Sequence, residues 1–158
     1  MLEAAVLREV QPRHILFLCV QNSARSQLAE GIARFLAPAG VTVSSAGSSP
    51  AFVRPQAIQV LKEIGIDISG HRSKSIDEID AASVEAVVTL CAEEVCPVFL
   101  GRAVRLHWSL ADPAKAPGDG QALLDAFRGT RDELFRRVKL LFDDWTPEEE
   151  ERIRGGIV

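Results

Sequence analysis

The chain alternates between short apolar runs and longer stretches in which apolar residues return every three or four positions. His14-Ile-Leu-Phe-Leu-Cys-Val20 is apolar almost throughout, the pattern of a strand covered on both faces. Over residues 24–37, Leu28, Ile32, Phe35 and Leu36 recur at helical spacing, and Pro38 and Gly40 end the segment. Val41-Thr-Val43 with its flanking serines predicts a second strand that closes at Gly47. Pro55 opens a helix over residues 56–64, with Ala57, Val60, Leu61 and Ile64 on one face and Gly65 as its stop. Residues 66–80 are expected to be irregular, with a helical turn near 76–79. Residues 84–90 and 103–107 predict a third and a fourth strand, and the Pro/Gly-rich stretch 112–120 a loop. A last long helix is expected over residues 121–145, where Phe127, Leu134, Val138, Leu141 and Trp145 form a docking stripe.

Strands alternating with helices predict right-handed crossovers and a single-domain α/β fold. The expected architecture is a four-stranded parallel sheet with helices on both faces, a Rossmann- or flavodoxin-like three-layer sandwich. Residues 14–145 make up that domain. Residues 1–13 are an N-terminal extension, either a short helix or a frayed lead-in, and 146–158 a tail whose acidic start reads as a solvated end.

Composition narrows the function classes. The 158 residues are 47% apolar and 25% charged, enough for one domain with a real core. A net charge of −4 counts against a nucleic-acid partner. The apolar run at residues 15–20 is too short to span a membrane, and no secretory leader is visible, so a cytoplasmic monomer is expected. Three cysteines are an odd number, a poor fit to a fully paired secreted framework. In a reducing compartment such cysteines point to catalysis, redox chemistry or metal binding.

The first strand ends on Cys19-Val-Gln-Asn-Ser-Ala-Arg25-Ser26, and a helix begins at once. A cysteine, five residues and an arginine at this junction let the backbone N–H groups of Val20, Gln21, Asn22, Ser23 and Ala24 wrap a tetrahedral oxyanion. Arg25 clamps two of its oxygens with a planar fork. The same positive field favours a thiolate at Cys19, and the Ser26 hydroxyl can donate to the sulfur. The bland alternative is a small buried Cys19 and an exposed helical Arg25. Asp112-Pro113 lies just beyond the fourth strand, where a carboxylic acid can protonate a departing oxygen; Asp before Pro is also common in ordinary turns. Cys91 and Cys96 admit three readings: incidental thiols, half of a metal site, or a redox pair. Two thiols with no neighbouring histidine fall short of a ligand set, and the redox reading is the more economical.

The stretch Phe17-Leu-Cys-Val-Gln-Asn-Ser-Ala-Arg-Ser-Gln-Leu-Ala-Glu-Gly31 resembles the active-site loop of the low-molecular-weight protein tyrosine phosphatases and their arsenate-reductase relatives. The likeness continues through Ser45-Ala-Gly47, Ile66-Asp-Ile-Ser-Gly-His71, Val88-Thr-Leu-Cys91, Cys96-Pro97, His107-Trp108 and Asp112-Pro113. It implies Cys19 as nucleophile, Arg25 and the loop as oxyanion site, Asn22 as the residue ordering that loop, and Asp112 as general acid. It also implies that Cys91 and Cys96 carry electrons from a thioredoxin-type dithiol to arsenate, with no cofactor. The spacing from Cys91 to Cys96 is slightly shorter than in the well-known members. Some members hold a potassium ion through five oxygen ligands. Asn22, Glu30 and Ser45 match that set, whereas Arg72 and Lys74 replace the other two, so no metal is expected and Lys74 or Arg72 supplies the charge. The alternative is a phosphatase that uses Cys19, Arg25 and Asp112 without redox, although no aromatic residue follows Asp112-Pro-Ala-Lys115 and the chain has no tyrosine. A non-catalytic oxyanion sensor and a single-cysteine, low-molecular-weight-thiol reductase are the remaining rivals.

Overall fold

The computed structural model describes residues 11–92 and 96–143. The expectations for the first ten residues, for the acidic tail and for Trp145 fall outside those residues. Four strands, β1 (His14–Cys19), β2 (Thr42–Gly47), β3 (Ala86–Thr89) and β4 (Val104–His107), form one sheet in the order β2-β1-β3-β4. Every neighbouring pair is parallel. Three α-helices are described: α1 (Arg25–Leu36), α2 (Pro55–Lys62) and α3 (Gly120–Phe142). Short 3-10 turns occupy Ile76–Glu78, Ala81–Ser83 and Pro113–Lys115.

The chain leaves β1 in one direction to form β2, then crosses back to place β3 and β4 on the other side. This reversal opens a crevice between the carboxyl ends of β1 and β3, the place where doubly wound sheets bind ligands. The continuous apolar run of β1 follows from burial on both faces: Ile15, Leu16, Phe17 and Leu18 are all fully buried. Ile15 and Phe17 join Leu28 and Ile32 of α1, Val60 and Leu61 of α2, and Phe127 and Leu134 of α3 in the main core. Leu16 and Leu18 face the opposite way and meet Ala46, Val84, Val87 and Phe99. Among the described residues, that second face is covered by Phe99 and by Ile76 and Ile79 at a short turn.

Element ends differ from the apolar pattern for local reasons. β3 begins at Ala86 because Asp80 caps the turn Ala81–Ser83, accepting from Ala82 N, and Val84 N bonds back to Ala81 O. β2 runs on through Ser44 and Ser45, whose hydroxyls find side-chain partners in His14 and in Asn22 and Glu30. α3 starts at Gly120, where the Asp119 carboxylate accepts from Gln121 N and Ala122 N. No described helix is long and apolar enough to cross a membrane.

Candidate active site

Cys19 closes β1 and Arg25 opens α1, so residues 20–24 form the whole connection. The turn is possible because Asn22 sits at φ +50°, in the left-handed region that a short amide tolerates. Its side chain then uses every hydrogen bond it can make. Nδ2 donates to Ser26 Oγ (2.8 Å) and Ser45 Oγ (2.9 Å), while Oδ1 accepts from Gln27 Nε2 (2.9 Å) and Lys74 N (2.8 Å). Ser26 Oγ accepts from Asn22, which leaves its own proton for Cys19 Sγ at 2.8 Å. The loop is also pressed from below. A Cβ at Gly47 would lie 2.8 Å from Asn22 N and 2.9 Å from Cys19 O, so only glycine lets β2 end there.

Above the loop lies a cavity of about 150 Å³. Cys19, Val20, Gln21, Ser23, Ala24 and Arg25 line it, together with Asp112, Lys115 and Arg54. Asn22, expected among the substrate-binding residues, is fully buried and braces the loop without lining the cavity. Arg25 is 4% exposed and its Nη1 donates to Leu110 O (2.9 Å) and Leu90 O (3.4 Å), which fixes the guanidinium across the strand ends. Asp112 fits both readings of Asp before Pro. Its Oδ1 accepts from Ala114 N at 3.0 Å and caps a turn, while Oδ2 stands 3.8 Å from Arg25 Nη2 at the cavity. Arg54 and Lys115 were not predicted as site residues. Neither carries a signal in the sequence, because an arginine before Pro55 and a lysine in a loop both suit plain solvent exposure.

Behind the loop, Glu30 is buried and accepts from Ser45 Oγ. Lys74 Nζ lies 3.4 Å from its Oε1, whereas Arg72 turns away to pair with Glu78 at 2.7 Å. Of the two cations proposed to supply charge here, Lys74 is the one at Glu30. Among the described residues no group of three histidine, cysteine or acidic side chains is arranged to hold a metal.

His71 completes this shell, with Nδ1 3.1 Å from Gln27 Oε1 and Nε2 3.5 Å from Glu30 Oε2. Burial outweighs the attraction of Glu30 and, helped by Arg34 and Lys74, lowers the His71 pKa below its usual 6.5. The unfolded chain therefore takes up this proton first. The neutral ring's contribution to stability is complete above about pH 6.5 and is lost as pH falls through the folded value. His14 has a pKa lowered by burial and contributes with the same sign. Urea unfolding at pH 7.5 and 5.5 is expected to show a smaller acid loss in His71→Gln than in the unsubstituted chain; an equal loss rejects this assignment.

The other two cysteines sit on the neighbouring strand's exit. Cys91 follows β3, is buried, and is joined to Cys96 by a disulfide with Cα atoms 5.5 Å apart, so the short spacer does close. Cys19 is the free cysteine. Neither Cys91 nor Cys96 lines the cavity, but Leu90, one residue earlier, accepts from Arg25.

A flavodoxin-type sheet whose first strand ends on a buried thiol, with an arginine and a carboxyl group beside it at one cavity, is the architecture of the low-molecular-weight phosphatase class. The pattern of the family described as low-molecular-weight phosphotyrosine protein phosphatase matches residues 14–151, and the chain belongs to that family. Over 127 residues it is 43% identical to an arsenate reductase of Halalkalibacterium halodurans, covering 79% of this chain and 91% of that protein. A glutaredoxin arsenate reductase of Synechocystis is 36% identical over 131 residues, 82% of this chain and 95% of that protein. Among solved structures, an arsenate reductase in the phosphate-binding state superposes with a TM-score of 0.71 at 32% identity, covering 85% of this chain and 99% of that one. A thioredoxin-dependent arsenate reductase of Corynebacterium glutamicum gives 0.55 at 30% identity, covering 88% and 70%.

Proposed function

We propose that the protein reduces arsenate to arsenite. One observation carries this reading: the Cys91–Cys96 disulfide stands at the exit of the strand beside the one that ends on free Cys19. Phosphate ester cleavage needs one cysteine and water, whereas arsenate reduction needs two electrons and hence a second thiol. Cys19 thiolate attacks arsenic while Arg25 and the loop hold the oxyanion and Asp112 gives a proton to the departing oxygen, which leaves as water. Cys91 then attacks Cys19 Sγ. The sulfur–arsenic bond breaks with its electron pair moving to arsenic, so arsenite departs and a Cys19–Cys91 disulfide remains. Cys96 attacks Cys91 Sγ, freeing Cys19 as thiolate and leaving the Cys91–Cys96 disulfide for an external dithiol.

The reductant proposed is thioredoxin in the cytoplasm, acting on a monomer whose catalytic domain is residues 14–145, flanked by an extension (1–13) and a tail (146–158). Cys91 has to approach Cys19 and then withdraw, so Cys91 itself is proposed to shift position during the cycle. In the reduced chain, one arsenate turnover is expected to remove two of the three free thiols. Arsenate-dependent NADPH oxidation should follow with thioredoxin and its reductase, and more slowly with glutaredoxin or mycoredoxin systems. Three thiols remaining after arsenate treatment rule the reading out. The cavity holds a complete set for ester cleavage in Cys19, Arg25 and Asp112, so slow hydrolysis of aryl phosphates is expected as a side activity.

A further inference from the structure

Arg54 stands apart from most of the described arginines. Arg128, Arg131, Arg136 and Arg137 are held by carboxylates, whereas among the described residues Arg54 has no carboxylate partner. It lines the cavity over Cys19, yet its Nε is buried and has no hydrogen-bond partner there. Its guanidinium lies 5.0 Å from the centroid of the Phe52 ring, a contact that fixes the plane of the fork without neutralising it. Its backbone is tied to the catalytic loop, since Arg54 N donates to Ser23 O at 2.9 Å. A buried donor on a cavity-lining residue calls for an acceptor, and the ligand proposed for this cavity is an anion.

We infer that Arg54 is a second oxyanion-binding residue, which reads the charge on the outer oxygens and so selects dianionic tetrahedral oxyanions over monoanionic ones. The inference rests on the reading of the Cys19 loop as an oxyanion site. Arg25 comes to that site with part of its donor capacity committed to Leu110 O and Leu90 O, and with Asp112 close to its charge. A second guanidinium in the cavity lining adds a positive charge that, among the described residues, no carboxylate offsets. A dianion gains more from that charge than a monoanion of the same shape.

The test uses the oxidised full-length chain, in which Cys19 is the free thiol, and follows its alkylation by iodoacetamide. Sulfate and perchlorate are both tetrahedral and differ in charge. In the unsubstituted chain sulfate is expected to protect Cys19 well and perchlorate weakly. In Arg54→Gln the sulfate concentration giving half-protection is expected to rise about ten-fold, and that of perchlorate less than three-fold. Arg54→Lys keeps the charge but loses the flat fork, so it should keep the preference for sulfate with about three-fold weaker protection. No protection by sulfate in the unsubstituted chain overturns the oxyanion-site reading itself. Unchanged sulfate protection in Arg54→Gln overturns the inference alone. An equal loss for both anions also overturns it, because it marks a change of loop shape and no reading of charge. Should the Gln variant fail to fold, a Lys variant that loses its preference for sulfate overturns the inference too.

Discussion

Cys96→Ser is expected to turn the enzyme into a single-turnover reagent. With the reduced variant, arsenate should yield about one arsenite per chain and then stop, with Cys19 and Cys91 trapped as a disulfide. Steady-state reduction through thioredoxin should fall by more than about a hundred-fold, because a disulfide ending on buried Cys19 is closed to an external dithiol. Cys91→Ser should behave differently and release no arsenite, since the thiol at the end of the adjacent strand is gone and Cys96 lies five residues further along the chain. Rapid-quench arsenite measurement and mass spectrometry of the trapped disulfide separate the two variants. Full multiple turnover by either one removes the relay.

Asp112→Asn is expected to slow the chemical step by about a hundred- to a thousand-fold while leaving oxyanion binding nearly unchanged. The asparagine carbonyl can still accept from Ala114 N, so the turn over Pro113–Lys115 survives and only the proton source is lost. Single-turnover arsenite formation reads the rate, and sulfate protection of Cys19 reads the site. A rate within three-fold of the unsubstituted enzyme would assign the acid elsewhere. A collapse of sulfate protection would instead mean that Asp112 chiefly positions Arg25, whose Nη2 lies 3.8 Å from it.

Much of this site was legible in the amino-acid order because its chemistry is local. A strand buried on both faces must read as an unbroken apolar run, and Cys19 and Arg25 are fixed to its end by five intervening residues. That Asn22 orders the loop was legible only through the family resemblance; its φ of +50°, which a short amide tolerates, supplies the physical reason. Arg54 was not, because its place depends on how α2 docks across the crevice, far along the chain from Cys19. Phe99 was equally hidden. It is the middle of three consecutive apolar residues, Val98, Phe99 and Leu100, and which of them is buried, here against Leu16 and Leu18, follows only from the strand order. The start of β3 was blurred because Val84 is drawn into the Asp80-capped turn over Ala81–Ser83, which an apolar pattern does not report.

Phe99 is 3% exposed in the lower core, while Val98 and Leu100 on either side are largely in solvent. Arg105 secures the same point, donating to Gly101 O at 2.8 Å and lying 5.9 Å above the Phe99 ring. Cys96 is therefore on a short leash. Three residues of chain from Phe99, it can travel at most about 10 Å from that anchor. The disulfide cannot be cast far out to meet its reductant; the reductant must come to the rim of the sheet. Lengthening the leash between Cys96 and Phe99 would thus alter which partners reach the sulfur and leave the arsenic chemistry at Cys19 untouched.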